Sequence, residues 1–274
     1  MGMSEALTFE DKVTRRSVRQ LTNGGLRSVH GYYDVPPWSP TDGRIAYTRI
    51  VERADEGEVW MMGADGADPR KVGSSRSLSA NDGARAHWMA DGSRICYRDQ
   101  ENGQTLIAWV NPDTDETARY PGDLRMMSPS GPTNAYHTNC GHFADHEVIS
   151  LRDEHGVFVQ DLDTGESKCI VTVEDCRQIH PRKEEIVDWH IYVKYSKWSP
   201  DGSRLMFVFT NEIRFSDKYC ELPHVKDVYV VNADGSGLKR VGEFGNHPLW
   251  HPNGQEILTN SPFEGRPGNS LVLT

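Results

Sequence analysis

The side chains of this chain best suited to chemistry near neutral pH are its histidines, eleven in all, with His30, His87, His137, His142, His190 and His247 the ones that flank apolar segments. Imidazole titrates in that range and is the commonest ligand of zinc, manganese and related ions. Three fall close together in His137-Thr-Asn-Cys-Gly-His142-Phe-Ala-Asp-His146. On a strand His137 and His142 point to opposite faces unless a bulge intervenes, because their separation is odd. Arg85, Tyr195 and Lys194 add a guanidinium, a phenol and an amine, groups that neutralise an anion or move a proton. For His30 and His87 a plain hydrogen bond to a neighbouring element is the competing reading. His146 and His155 read as solvated loop residues, and His251 as structural.

What could bring such residues together is a repeat. It reads Trp38-Ser-Pro-Thr-Asp-Gly43, Trp88-Met-Ala-Asp-Gly92, Trp198-Ser-Pro-Asp-Gly202 and Trp250-His-Pro-Asn-Gly254, and seven positions after each tryptophan comes Ile45, Ile95, Leu205 or Ile257. The tryptophans are 50, 110 and 52 residues apart, so the doubled gap predicts a degenerate copy near residue 143, within 141–149. Five units of several short strands are the signature of an all-β propeller, since one unit cannot bury its own faces. Asp-Gly and Asn-Gly between two apolar runs read as hairpin turns, and a second turn in each unit, such as Asp163-Thr-Gly165 or Asp234-Gly235, joins a third strand to a fourth. The expected blades are 35–75, 85–122, 134–174 and 190–243, with 17–22 as the outer strand of 246–274, after a tail over 1–16. The four tryptophans are expected at equivalent buried positions. The last unit stops at its third strand, so either 17–22 closes a five-bladed ring or the chain is a fragment of a larger one, and the second is the reading adopted. Ligands of propellers gather where the first strand of each blade begins. Three residues before the tryptophans stand Val35, Arg85, Tyr195 and His247, with Asn139 or Cys140 in the degenerate unit.

A net charge of -10 and a pI near 5.5 disfavour a nucleic-acid backbone as partner. No apolar run is long enough for a membrane span and residues 1–12 are polar and acidic, so a cytoplasmic protein without a membrane partner is expected. Five cysteines without a CxxC pair read as reduced thiols. No Gly-rich phosphate loop, Gly-x-Ser-x-Gly elbow or His-Glu-x-x-His helix is present, which removes the common nucleotide-dependent and serine-hydrolase readings. The charged segment 211–226 is expected to loop out between the second and third strands of the fourth blade.

Trp198-Ser-Pro-Asp-Gly-Ser-Arg-Leu205, followed by Val228-Tyr-Val-Val-Asn-Ala-Asp-Gly-Ser-Gly-Leu-Lys-Arg-Val241, resembles the TolB and tricorn type of propeller, over residues 17–274. Val18-Arg-Gln-Leu-Thr22, His30-Gly-Tyr-Tyr-Asp34 and Asn246-His-Pro-Leu-Trp250 make the chain most similar to the oligogalacturonate lyases. That resemblance implies a seven-bladed ring, a divalent ion, typically manganese, held by histidines and a glutamine, and an arginine and a histidine that abstract a proton. His247 falls on a ligand position. The family's arginine position falls on Gly156 and its histidine position on Tyr195, and residue 245 is glycine where a His-x-His pair would begin. The implied function is β-elimination on an acidic, uronate oligosaccharide: a cation neutralises the carboxylate, a base removes the C5 proton and an acid meets the leaving oxygen. Tyr195, His190 and Arg85 are the expected catalytic residues, and His247, His142 and His137 the expected metal ligands. The alternatives are a non-catalytic propeller that binds a protein or glycan, and the propeller of a larger peptidase.

Overall fold

The computed structural model describes residues 4–51, 56–137, 155–187, 189, 191–211, 225–243, 246–262 and 269–273. It divides into two compact units, Met1–Leu124 and Arg125–Thr274. In the first, β1 (Leu7–Glu10) and β2 (Ser17–Gln20) pair antiparallel in a sheet of their own. So Ser17–Gln20, expected as the outer strand of the last blade, has a strand of the expected tail as its neighbour. Blade one is β3 (Arg27–Val29), β4 (Ile45–Val51), β5 (Glu56–Met62) and β6 (Arg70–Ser75). Blade two is β7 (His87–Trp88), β8 (Ile95–Glu101), β9 (Gln104–Val110) and β10 (Thr117–Pro121).

In the second unit, blade three is β11 (Met126–Met127), β12 (Thr133–His137), β13 (Gly156–Asp161) and β14 (Ser167–Thr172). The short helix α1 (Val173–Gln178) follows, its start fixed by a capping box between Thr172 and Asp175. Blade four is β15 (Tyr192–Trp198), β16 (Arg204–Thr210), β17 (Lys226–Asn232) and β18 (Lys239–Glu243). The last sheet holds β19 (Asn246–Trp250), β20 (Ile257–Pro262) and β21 (Asn269–Leu273). Residues 212–224, the core of the expected insertion, lie outside the described residues.

Every repeat folds through the same turn. The residue after the aromatic donates its N–H to a carbonyl five positions on: Ser39 to Arg44 (2.7 Å), Met89 to Arg94 (2.9 Å), Ser199 to Arg204 (2.8 Å) and His251 to Glu256 (2.8 Å). Gly43, Gly92, Gly202 and Gly254 take φ of 69 to 73° inside it, which is why the motif ends in glycine. The tryptophan is thereby set opposite the aliphatic residue seven positions later, as in Trp88↔Ile95, Trp198↔Leu205 and Trp250↔Ile257, with Trp38↔Ile45 as a lone bridge. The fifth turn corrects the sequence reading. Ser128 donates to Thr133 (2.7 Å) and Met127 pairs with Asn134, so the degenerate copy is Met127-Ser-Pro-Ser-Gly131. Residues 141–149, where the spacing pointed, lie among those not described.

Central strands are buried on both faces. Along β16, Leu205, Phe207 and Phe209 enter one cluster while Met206 and Val208 enter another, and none is more than 1% exposed. Alternate side chains of a strand leave by opposite faces, so an unbroken apolar run is what a strand between two layers requires. Trp88 and Trp198 are buried, at 6% and 4% exposure, and Trp250 is half-buried. Trp38, expected to match them, is 56% exposed.

Candidate functional site

Among the described residues most left-handed ones are glycines or sit in tight turns, but three are not: Arg85 (φ 56°), Tyr195 (φ 60°) and His247 (φ 56°). Each stands three residues before the tryptophan of its blade. For a branched or bulky side chain this backbone is rare and carries strain of order 1–3 kcal/mol, and such positions cluster where geometry matters. The cause is visible in the pairing. β15 and β16 shift register between Lys194 and Lys197, and β19 and β20 between Asn246 and Leu249, so the two residues lie in bulges that re-aim their side chains. Val35, at the corresponding position of blade one, is buried.

In the first unit Arg85 is 3% exposed, and its guanidinium is gripped by Asp82 (2.5 Å) and Asp34 (3.0 Å). Asp34 ends the His30-Gly-Tyr-Tyr-Asp34 segment, so Arg85 ties that loop to blade two. Arg98 lies near Asp123 (3.0 Å) and Asp82 (3.8 Å). His87 donates from Nδ1 to the Arg85 carbonyl (2.9 Å), and burial pushes its pKa down to about 4, leaving a neutral ring. Arg85 is thus committed to two buried carboxylates, an anchoring geometry.

The second unit gathers a different set. The rings of Tyr195 and His247 lie 5.6 Å apart. The Lys194 ammonium is 5.0 Å from the Tyr195 ring centroid and the Arg125 guanidinium 6.0 Å. Lys194 and Arg125 are only 6% and 5% exposed, whereas Tyr195 and His247 are half-buried. His137, at the end of β12, is hydrogen-bonded through Nδ1 to Ser196 (3.2 Å), the neighbour of Tyr195. A pair of reciprocal bonds fixes β15 against β19: Lys197 Nζ donates to the Pro248 carbonyl (2.8 Å), and Trp250 Nε1 donates to the Lys197 carbonyl (3.1 Å). Lys197 is itself 2% exposed, so this clamp beside His247 is shielded from water.

The second unit therefore brings Tyr195, Lys194, His247 and His137 to one neighbourhood. His142 and His190 lie outside the described residues. Arg125 was not singled out by sequence. It stands two residues before Met127, and reading Met127-Ser-Pro-Ser-Gly131 as a repeat would have drawn attention to it. Gly156, where the resemblance places an arginine, has no room for any side chain, because a Cβ there would overlap the Val171 carbonyl. Among the described residues no group of three His, Cys, Asp or Glu side chains is arranged to hold a metal ion. His137 and His247 alone do not make a manganese site.

Three solved structures similar in fold illustrate the likeness. An oligogalacturonate lyase in complex with manganese has 14% identity and a TM-score of 0.65, covering 100% of this chain and 72% of that one. TolB from Acinetobacter baumannii has 13% identity and a TM-score of 0.51, covering 99% and 57%. The β-propeller domain of the Trilobed protease from Pyrococcus furiosus has 12% identity and a TM-score of 0.53, covering 99% and 74%. No family model and no curated protein matches the chain. At such identities the likeness establishes the fold, an all-β propeller built of four-stranded antiparallel blades.

Proposed function

We propose that this propeller acts on an acidic, uronate oligosaccharide by β-elimination, with the Tyr195 cluster as the reacting centre. One observation carries the reading: in a chain of net charge -10, two buried cations, Arg125 and Lys194, converge on the half-buried ring of Tyr195, with His247 against the same ring. Cations held in a low-dielectric pocket suit a carboxylate, since their attraction for it is far stronger there than in water. A sugar carboxylate received by Arg125 and Lys194 has its charge neutralised, which acidifies the C5 proton next to it. Tyr195, acting as the base in its phenolate form, takes that proton. The C4–O bond then breaks, the C4–C5 double bond forms, and His247 gives a proton to the departing oxygen.

The lyase similar in fold is a manganese complex. A divalent ion in this chain would need ligands beyond His137 and His247, such as His142, and no step above is routed through one. The expected setting is the cytoplasm; no helix of the described residues is long and apolar enough to cross a membrane.

The test is incubation with oligogalacturonate and with its methyl ester, following the ultraviolet absorbance of the unsaturated product. Product from the free acid and little from the ester is the expected result, because the ester offers no charge to Arg125 and Lys194. Binding of the acid without any product would assign the cluster to a glycan-binding, non-catalytic propeller. Neither binding nor product would remove both readings.

A further inference from the structure

Tyr195 and His247 each interrupt the pairing of their strand. In β15 the register is lost after Lys194 and regained at Lys197, opposite Met206. In β19 it is lost after Asn246 and regained at Leu249, so neither His247 nor Pro248 has a partner in the register with β20. His247 is the more strained of the two. Its φ of 56° is uncommon for a residue with a Cβ, and the residue before a proline is driven toward extended backbone, at φ of about -120°. Some contact must hold His247 where neither its own type nor its neighbour would put it.

That contact comes from the preceding blade of the same unit. Lys197, the first paired residue beyond Tyr195, is 2% exposed and donates from Nζ to the Pro248 carbonyl (2.8 Å). The reciprocal bond, from Trp250 Nε1 to the Lys197 carbonyl (3.1 Å), is a packing device of the repeat, because Trp198 Nε1 donates likewise to the Met126 carbonyl (3.1 Å). A methionine serves there, so joining two blades needs no ammonium. The residues before the aromatic in the other blades are Pro37, His87, Met126 and Leu249, and only blade four has an amine at this place. Burying an ammonium is costly unless it is bonded, so its presence beside the bulge calls for a role beyond packing. We propose that Lys197 is a positioning residue of the Tyr195 cluster: by gripping the Pro248 carbonyl it holds His247 left-handed and so sets the imidazole 5.6 Å from the Tyr195 ring. Its catalytic part rests on the reading of His247 as the group that protonates the leaving oxygen; its geometric part stands without that reading.

The test separates geometry from activity. Histidine ring protons are followed by NMR, those of His247 identified by their loss in His247→Gln, with Tyr195→Leu giving their position in the absence of the neighbouring ring. In Lys197→Met, which keeps the apolar stem and removes the ammonium, the His247 signals should move toward that Tyr195→Leu position. The Trp250 indole N–H signal should stay, since its acceptor is a backbone carbonyl. On oligogalacturonate the same variant should lose at least about tenfold in kcat with KM within about twofold, because Arg125 and Lys194 still receive the carboxylate. In the His247→Gln background it should lose nothing further. Pro248→Ala, which leaves the carbonyl gripped by Lys197 in place, should leave the His247 signals where they are. His247 signals unmoved in Lys197→Met would overturn the proposal, as would a shift in Pro248→Ala equal to that in Lys197→Met, which would make the proline the determinant. Loss of the Trp250 signal in Lys197→Met would reduce Lys197 to a support of blade packing and overturn it too, as would signals that move without any fall in kcat in an active chain. If the unaltered chain forms no product, the lyase reading fails, and the NMR comparison still decides whether Lys197 places His247.

Discussion

Acidification should destabilise the first unit through His87, and the size of the effect follows from its surroundings. The ring is buried, it donates from Nδ1 to the Arg85 carbonyl, and desolvation lowers its pKa from 6.5 to about 4, with Arg98 adding to the shift and Asp34 opposing it. A folded-state pKa below the unfolded value means that the unfolded chain takes up a proton the folded one refuses. The contribution is therefore intact above pH 6.5 and is lost as pH falls toward 4. At about 1.4 kcal/mol per pH unit the full loss is about 3 kcal/mol, of which about 2 kcal/mol falls between pH 7 and pH 5. Urea unfolding at those two pH values, on the chain and on His87→Gln, isolates this group, because all others titrate alike in both. The chain should lose about 2 kcal/mol more than the variant on acidification. Equal losses would refute the reasoning and place the protonated ring within reach of water or a carboxylate.

Arg85→Met leaves Asp34 and Asp82 buried beside an apolar side chain, and urea unfolding should show a loss of about 3–5 kcal/mol, partly restored by adding Asp34→Asn. Gly156→Ala drives a methyl group into the Val171 carbonyl, so the β13–β14 pairing must open; a fall in melting temperature of several degrees is expected, with faster amide exchange at Val171 and Thr172. His247→Gly relieves a left-handed backbone of order 1 kcal/mol, so stability should hold or rise in thermal unfolding while product formation falls by about 10² to 10⁴.

The blades were legible because their determinants are local. An Asp-Gly or Asn-Gly turn, an aromatic before it and an aliphatic residue after it lie within eight positions, and one backbone bond across the turn sets the register. The opening turn of the third blade escaped because Met127 stands where the others have tryptophan. An unbranched apolar side chain fills such a place without announcing it. Trp38 was misjudged for the opposite reason: its type matches the repeat, but burial depends on what lies against it, and no motif states that. Arg85 shows the same limit. Its spacing placed it with Tyr195 and His247, yet its carboxylate partner Asp34 is 51 positions away in sequence. The bulges that give Tyr195 and His247 their left-handed backbone leave no trace in residue type, since neither is the glycine or asparagine usual there. Arg125 became visible only once the Met127 turn was in place.

The central claim, that Tyr195 and its buried cations form a uronate-eliminating site, is tested most directly by steady-state kinetics on oligogalacturonate for the chain, Tyr195→Phe and Arg125→Gln. Removing the phenolic oxygen alone should lower kcat by about 10² to 10⁴ with KM little changed, because the group acts on the proton rather than on binding. Arg125→Gln should raise KM, since a buried cation facing the carboxylate is lost. A Tyr195→Phe variant that forms unsaturated product as fast as the unaltered chain would contradict the assignment.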